Sequence, residues 1–416
     1  WIARSARFAT RVDLYNFGRW LVLALIVGVV AGLAGTLLTW GVDSVGSLLL
    51  EGIVGFDAPG HGAAADSTWS APRRPWLLLV VLPLAGLAVG WIVQRFAPEA
   101  EGHGTDAVIN AYHRGRAVIR RRVVPVKLLT SMLTIGSGGS AGREGPVAQV
   151  GAGVGSYLAD LLRLGYHDRR VLVIAGVAAG VGGMFRAPLG AALFAVEVLY
   201  SDPDFESEAL IPAIISSIVS YVVVASLTGW NAIFDTADIR FARPHELLAY
   251  LVLGMMLALI GMIYVKVFYG MRDGFFARLP IPPWTKPAVG GLLLALLGIA
   301  VPQVLGGGYG WLQLTIDGQL PFALLAILLP AKILATSLTI GSGGSGGVFA
   351  PSLVIGGVAG AVFAGLAERA APQLAPPTAA CVLVGMGGFF AAVAKVPVAS
   401  LIMVAEMSGS YGLLVP

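Results

Sequence analysis

Long apolar stretches recur along the chain, separated by short polar or Gly/Pro-rich breaks: Trp20–Thr39, Trp76–Val93, Leu210–Leu227, Leu247–Phe268, Ala288–Val301 and Phe322–Leu338. Several reach the roughly 20 residues that carry a helix across a hydrocarbon core. The pattern predicts an all-α polytopic membrane protein that crosses the bilayer several times. The stretches after Gly136 and after Gly341 are different, because Gly and Pro interrupt them too often for a single crossing. Irregular backbone at membrane depth is tolerated only inside protein or along a watery cavity. Broken helices therefore predict a pathway.

The two interrupted stretches are copies of each other. Residues 124–155 and 329–360 align without a gap at an offset of 205, with 15 of 32 positions identical. The match pairs Pro125 with Pro330, Lys127 with Lys332, and one GSGGS run with the other. A weaker match pairs 185–197 with 394–406, including Pro188 with Pro397 and Glu197 with Glu406. The chain is thus expected to form two transmembrane repeat halves, 1–205 and 206–416, joined by a polar loop near Ser201–Glu208. Paired halves with broken helices are a transporter pattern, with the substrate bound where the halves meet.

Composition narrows the class. Only 12% of residues are charged and 57% are apolar, against about 25% charged in soluble domains. The 56 glycines suit closely packed or broken helices rather than lipid-facing ones. The single cysteine, Cys381, excludes an internal disulfide framework. The net charge of +4 does not point to nucleic acid, since the basic residues flank apolar spans. Arg4, Arg7, Arg11 and Arg19 precede the first span, which predicts a cytoplasmic N-terminus; Arg114, Arg116 and Arg120–Arg122 form a second such cluster. No metal-ligand cluster or catalytic carboxylate pair is visible, so neither an enzyme nor a cofactor is expected. The start at Trp1 and the end at Pro416 inside an apolar run suggest a fragment with a truncated C-terminus.

Each repeated segment has the chemistry of an anion site. An apolar helix ends at Ile135, Gly136–Ser140 breaks it, and Gly142-Arg143-Glu144-Gly145-Pro146 leads into a new helix placed at Pro146 to about Leu162. The second copy does the same through Gly347-Val348-Phe349-Ala350-Pro351. Proline suits the first helical turn. Glycine-rich loops expose backbone N–H groups, and the positive end of the helix dipole faces them. Amide partial charges hold a halide loosely enough to release it. The pairs Gly151/Gly155 and Gly356/Gly360 have the spacing for close helix contact. A flexible linker would not recur at one offset between apolar segments, and a phosphate loop would need the Gly-Lys-Ser/Thr that is missing here.

Glu144 is the residue on which function is expected to turn. An ionisable group at membrane depth is a functional hypothesis by default, although an acid in a first helical turn also complements the dipole. A carboxylate at an anion-binding helix end is an anion on a tether. It can block the site and leave when protonated or displaced. Phe349 stands at the equivalent place in the second copy and cannot do this.

GREGP at 142–146 and GVFAP at 347–351 resemble two signature motifs of the CLC family of chloride channels and chloride/proton antiporters, in a prokaryote-like form. Lys127, the APLG run at 187–190 and the ending EMSGSYGLLVP at 406–416 are similar to family features too. The resemblance implies the CLC-type fold of two inverted repeats with broken and re-entrant helices. It implies a homodimer with one pore per subunit in the plasma (inner) membrane, passing chloride and, in exchangers, protons. It further implies an external anion site at the amides around Arg143, Glu144 and Gly145, and a central one at Val348, Phe349 and Ala350, with Glu144 as the gate.

Three departures bear on mechanism. The first family motif here reads Gly102-His103-Gly104-Thr105-Asp106, so His103 stands where a serine hydroxyl normally meets the central anion, and the resemblance makes His103 and Gly104 candidates for that site. His103 can donate a hydrogen bond or, when charged, attract anions; alternatively only its backbone lines the site. Asp106 is expected to cap the helix that follows. The relay position that exchangers fill with glutamate is Val198, next to Glu197, for which a structural role is expected. The family's central tyrosine lies beyond the sequence, and Tyr411 is not its equivalent. Val198 favours channel-like or weakly proton-coupled chloride transport. A chloride/proton antiporter is the alternative, and a carrier of fluoride, nitrate or organic anions a remote one.

Overall fold

The structure, a computed structural model, describes residues 2–60, 68–199, 207–236, 239, 243–244, 246–373 and 375–413. Most of the loop expected at Ser201–Glu208 lies outside the described residues, as do Trp1 and the last three residues of the 406–416 ending. The described residues form fifteen α-helices and no strand. The first half holds α1 (Ile2–Gly46), α2 (Leu78–Phe96), α3 (Thr105–Arg114), α4 (Val123–Gly136), α5 (Glu144–Leu161), α6 (Tyr166–Phe185) and α7 (Pro188–Glu197). Then follow α8 (Ser207–Thr228), α9 (Glu246–Tyr269), α10 (Lys286–Ala300), α11 (Tyr309–Ile316), α12 (Phe322–Gly341), α13 (Phe349–Ala370), α14 (Thr378–Ala394) and α15 (Pro397–Ser408).

Seven helical segments are long and apolar enough to cross a membrane among the described residues. Their apolar side chains are exposed where a soluble protein would carry charge: Leu33 and Leu37 on α1, and Leu248, Met255, Leu259 and Met262 on α9. In contrast, α5 and α13 bury most of their residues. The repeated segments therefore form the centre of the molecule and the plain spans its lipid-facing shell.

Glycine spacing explains how the centre closes. Gly151 and Gly155 of α5 lie directly on the backbone carbonyls of Gly176 and Leu172 in α6. Gly356 and Gly360 of α13 lie on those of Gly385 and Cys381 in α14. A Cβ at any of these glycines would collide with backbone, which cannot move aside. The Gly-x-x-x-Gly expectation holds in both copies.

The two copies meet face to face around a local twofold. Gly142 and Gly347, equivalent at the 205 offset, form an antiparallel bridge with both N–H···O bonds at 2.7 Å. Hydroxyls repeat the exchange. The Ser140 N–H donates to Thr339 Oγ1 at 3.1 Å, and the equivalent Ser345 N–H to Thr134 Oγ1 at 3.3 Å. Ser140 and Thr336 bond through their hydroxyls at 3.0 Å, as Ser345 and Ser131 do at 3.2 Å. Every polar group of this buried knot needs a partner, and the other copy supplies it.

The buried lysines obey the same symmetry. Lys127 donates to the carbonyls of Ala100 (3.0 Å) and Gly102 (2.6 Å), and Lys332 to those of Val304 (2.9 Å) and Gly306 (2.8 Å). Neither forms an ion pair among the described residues, and both are fully buried. Each ties the loop before a short helix, α3 or α11, to the long helix that carries it. Lys127 is thus a brace beneath the first motif loop.

Candidate functional site

Helix α5 begins at Glu144, two residues before the start expected at Pro146, so Glu144 sits in the first turn. Helix α13 begins at Phe349. The Gly142–Gly347 bridge brings the two starts together: a Cβ on Gly145 would lie 2.9 Å from the Gly347 Cα, and one on Gly142 would lie 2.8 Å from the Ala350 Cβ. Both motif loops must be glycine-rich because each is the other's wall.

Glu144 is buried at 1% exposure in this contact zone. Its Oε1 accepts a hydrogen bond from the Tyr309 hydroxyl. Its Oε2 lies against the Gly142 Cα, next to the Ala350 amide, and has no hydrogen-bond partner of good geometry. The carboxylate of the first copy thus occupies the ground in front of the second copy's helix start.

Two cavities lie next to the motif loops. One, of about 160 Å³, is lined by Gly142, Arg143, Ala350, Tyr309 and the run Gly306–Gly308. Among the described residues its one guanidinium, Arg143, is held by Asp43 at 2.6 Å. The other, of about 200 Å³, is lined by His103, Asp106, Val198, Val348, Phe349, Tyr264 and Ser352 among others. Phe349 stands at its wall, edge-on to Phe194 at 5.0 Å and to Phe390 at 5.1 Å. The Glu144 carboxylate lies by Gly142 and Ala350 of the first lining, and the Phe349 ring lines the second.

The predicted residues divide accordingly. Arg143 and Ala350 line the first cavity, with Glu144 packed on Gly142 of its lining and Gly145 on Gly347; His103, Val198, Val348 and Phe349 line the second. His103 presents its ring as well as its backbone: Nε2 lies 2.9 Å from Asp106 Oδ2, while Nδ1 is buried without a partner. Its carbonyl packs on Gly145. Gly104, at φ +88°, precedes α3 and is pressed against Gln149 and Gly145 of α5. Asp106 is a correction to the sequence reading. It lies inside the first turn of α3, makes no side-chain cap, and pairs with His103 instead, because Gly104 takes the cap position.

Glu197 and Glu406 sit at each other's helix starts. Glu197 Oε2 accepts from the Ala399 N–H at 2.9 Å, at the start of α15, while Glu406 accepts from the Gly190 N–H at 2.7 Å, at the start of α7. Each helix ends in a carboxylate that caps the other's N-terminus, where a negative charge is favoured.

Sequence reasoning missed Tyr309. A signal was present: Pro98, Gly102 and Gly104 recur as Pro302, Gly306 and Gly308 at an offset of 204, and both glycine pairs have positive φ. Tyr309 follows its loop as Thr105 follows the first.

A family model described as voltage gated chloride channel matches residues 85–416. Sequence relatives include the H(+)/Cl(−) exchange transporter ClcA of Yersinia pseudotuberculosis serotype IB, 31% identical over 401 residues, covering 95% of this chain and 81% of that protein. The ClcA of Vibrio campbellii is 31% identical over 405 residues, covering 95% and 83%. Among solved structures, a slow cyanobacterial Cl−/H+ antiporter superposes with a TM-score of 0.85 at 23% identity, covering 96% of this chain and 91% of that one. A CLC-type fluoride/proton antiporter does so with 0.81 at 24% identity, covering 96% and 92%. These structural likenesses carry the fold, which is the CLC-type fold of two inverted repeats; the family model and the sequence relatives carry the kinship. The chain belongs to the voltage-gated chloride channel (CLC) family.

Proposed function

We propose that this chain transports chloride in exchange for protons, with Glu144 as both gate and proton acceptor. The observation that carries the reading is the position of the Glu144 carboxylate, across the start of α13 and against Gly142 and Ala350, which line the first cavity. While charged, it takes the place an anion would hold at those amides. Protonation removes its claim to them, and chloride can pass. The sequence alone favoured channel-like conduction because of Val198. The relatives named above are exchange transporters, and the exchange alternative fits them better.

Val198 cannot relay a proton, so exchange needs another titratable group on that side. His103 and Asp106 line the same cavity as Val198 and are bonded to each other. The buried Nδ1 of the imidazole has no partner and offers a second contact. On this reading His103 serves proton entry, and the amides of Val348, Phe349 and Ala350 serve the anion. The chain acts as a homodimer in the inner membrane, with its N-terminus cytoplasmic, and uses no cofactor beyond the transported ion.

Purified protein in vesicles tests this. A chloride gradient directed outward should drive protons inward against their own gradient. Chloride release without proton uptake would make the protein a channel and return Val198 to its simpler meaning.

A further inference from the structure

We infer that Tyr309 is a latch on the gate: its hydroxyl holds the Glu144 carboxylate in the blocking position and sets how readily the pathway opens. This rests on the reading of Glu144 as the gate. Three observations carry it. The hydroxyl donates to Oε1 of a buried carboxylate whose other oxygen has no hydrogen-bond partner of good geometry. This makes Tyr309 the side-chain donor on Glu144.

Secondly, the phenol is held from behind. Lys332 binds the carbonyls of Val304 and Gly306 just before it, Gly306 donates to the Gly138 carbonyl at 3.0 Å, and the ring stands edge-on to Phe234 at 5.7 Å. A donor on a braced loop cannot follow the carboxylate when it swings away. The bond therefore exists only in the blocked state, which it must favour.

Thirdly, the local twofold supplies an internal control. Thr105 is the equivalent of Tyr309, and its Oγ1 is buried without a partner on the cavity that Phe349 lines. The residue on the Phe349 side is a short threonine, while the one that faces the Glu144 carboxylate from the other copy is a phenol that reaches it.

A donor to the carboxylate favours its charged, blocking form. Tyr309→Phe keeps the ring and removes the donor. It should raise initial chloride efflux from vesicles at neutral pH by roughly ten-fold and move the pH of half-maximal flux upward by about one unit. Among the described residues, Arg143, held by Asp43, and Lys332 are the other charged groups around this cavity, and the substitution leaves both in place. In a Glu144→Ala background the same substitution should change nothing. A fluorinated tyrosine at position 309, a stronger donor, should slow efflux below the wild-type rate.

Wild-type rate and pH profile in Tyr309→Phe would overturn the latch. So would an equal effect with and without Glu144, which would mean that the ring merely packs. If instead Glu144→Ala keeps the full pH response, it is the gate reading that fails, and the two failures are told apart.

Discussion

The starts of α5 and α13 are built alike and behave differently. Each follows a glycine turn with positive φ, at Gly138 and Gly343, each is paired with the other through Gly142 and Gly347, and each packs on its neighbour through Gly-x-x-x-Gly contacts. One begins with Glu144 and the other with Phe349. The first side chain is polar, bonded to a phenol across the twofold, and lies over its partner's amides. The second is fixed among Phe194 and Phe390. Duplication supplied two anion-attracting helix ends, and divergence made one of them the moving part and the other the wall. A pathway with a carboxylate at both starts would place two charges in one dry space. One with a phenylalanine at both would have no group to titrate.

Exchanging the characters of the two positions should have the largest effect. Phe349→Glu places an unpaired carboxylate in an aromatic cage, where the missing partner costs several kcal/mol. The variant should lose most of its folded yield in detergent, judged by size-exclusion chromatography. Phe349→Ala is gentler, at about 3 kcal/mol for the cavity it leaves, and should lower the thermal unfolding midpoint while leaving the pH response of flux intact. Retained stability in both would mean that the ring is not a packed wall.

The bridge between the starts gives a second way to break the comparison. Gly142→Ala drives a methyl into Ala350 and into the Glu144 carboxylate. Overpacking of this kind costs about 1–3 kcal/mol, and it should also displace the gate, raising chloride flux at neutral pH. A smaller effect is expected at the outer ends of the symmetry. Glu197→Gln and Glu406→Gln each weaken a charge-assisted cap and should cost about 1 kcal/mol. The two losses should be nearly equal, with proton coupling unchanged. A loss of coupling in Glu197→Gln alone would give that residue a transport role.

Much of this arrangement was legible in the sequence because local chemistry dictates it. The apolar runs became the long helices, the breaks at Gly136 and Gly341 became the turns, and GREGP and GVFAP became the facing helix starts. The pairing of Glu197 with Glu406 in the alignment became a reciprocal pair of caps. What was hidden depends on distance in the chain. Tyr309 lies 165 positions from the carboxylate it binds, and a tyrosine after a glycine run says nothing of its partner. Asp106 was misread for a local reason: Gly104 takes the cap position, and the Asp106 carboxylate pairs with the imidazole of His103.

The central claim is that one titratable side chain makes the difference between the two copies, and paired flux from the same vesicles tests it most directly. Chloride and proton movement should be recorded together for the wild type and for Glu144→Gln under an outward chloride gradient. The account predicts uphill proton uptake with chloride release in the wild type. In Glu144→Gln it predicts continued chloride release with no proton uptake and no dependence on pH. Proton uptake that survives the substitution would contradict it.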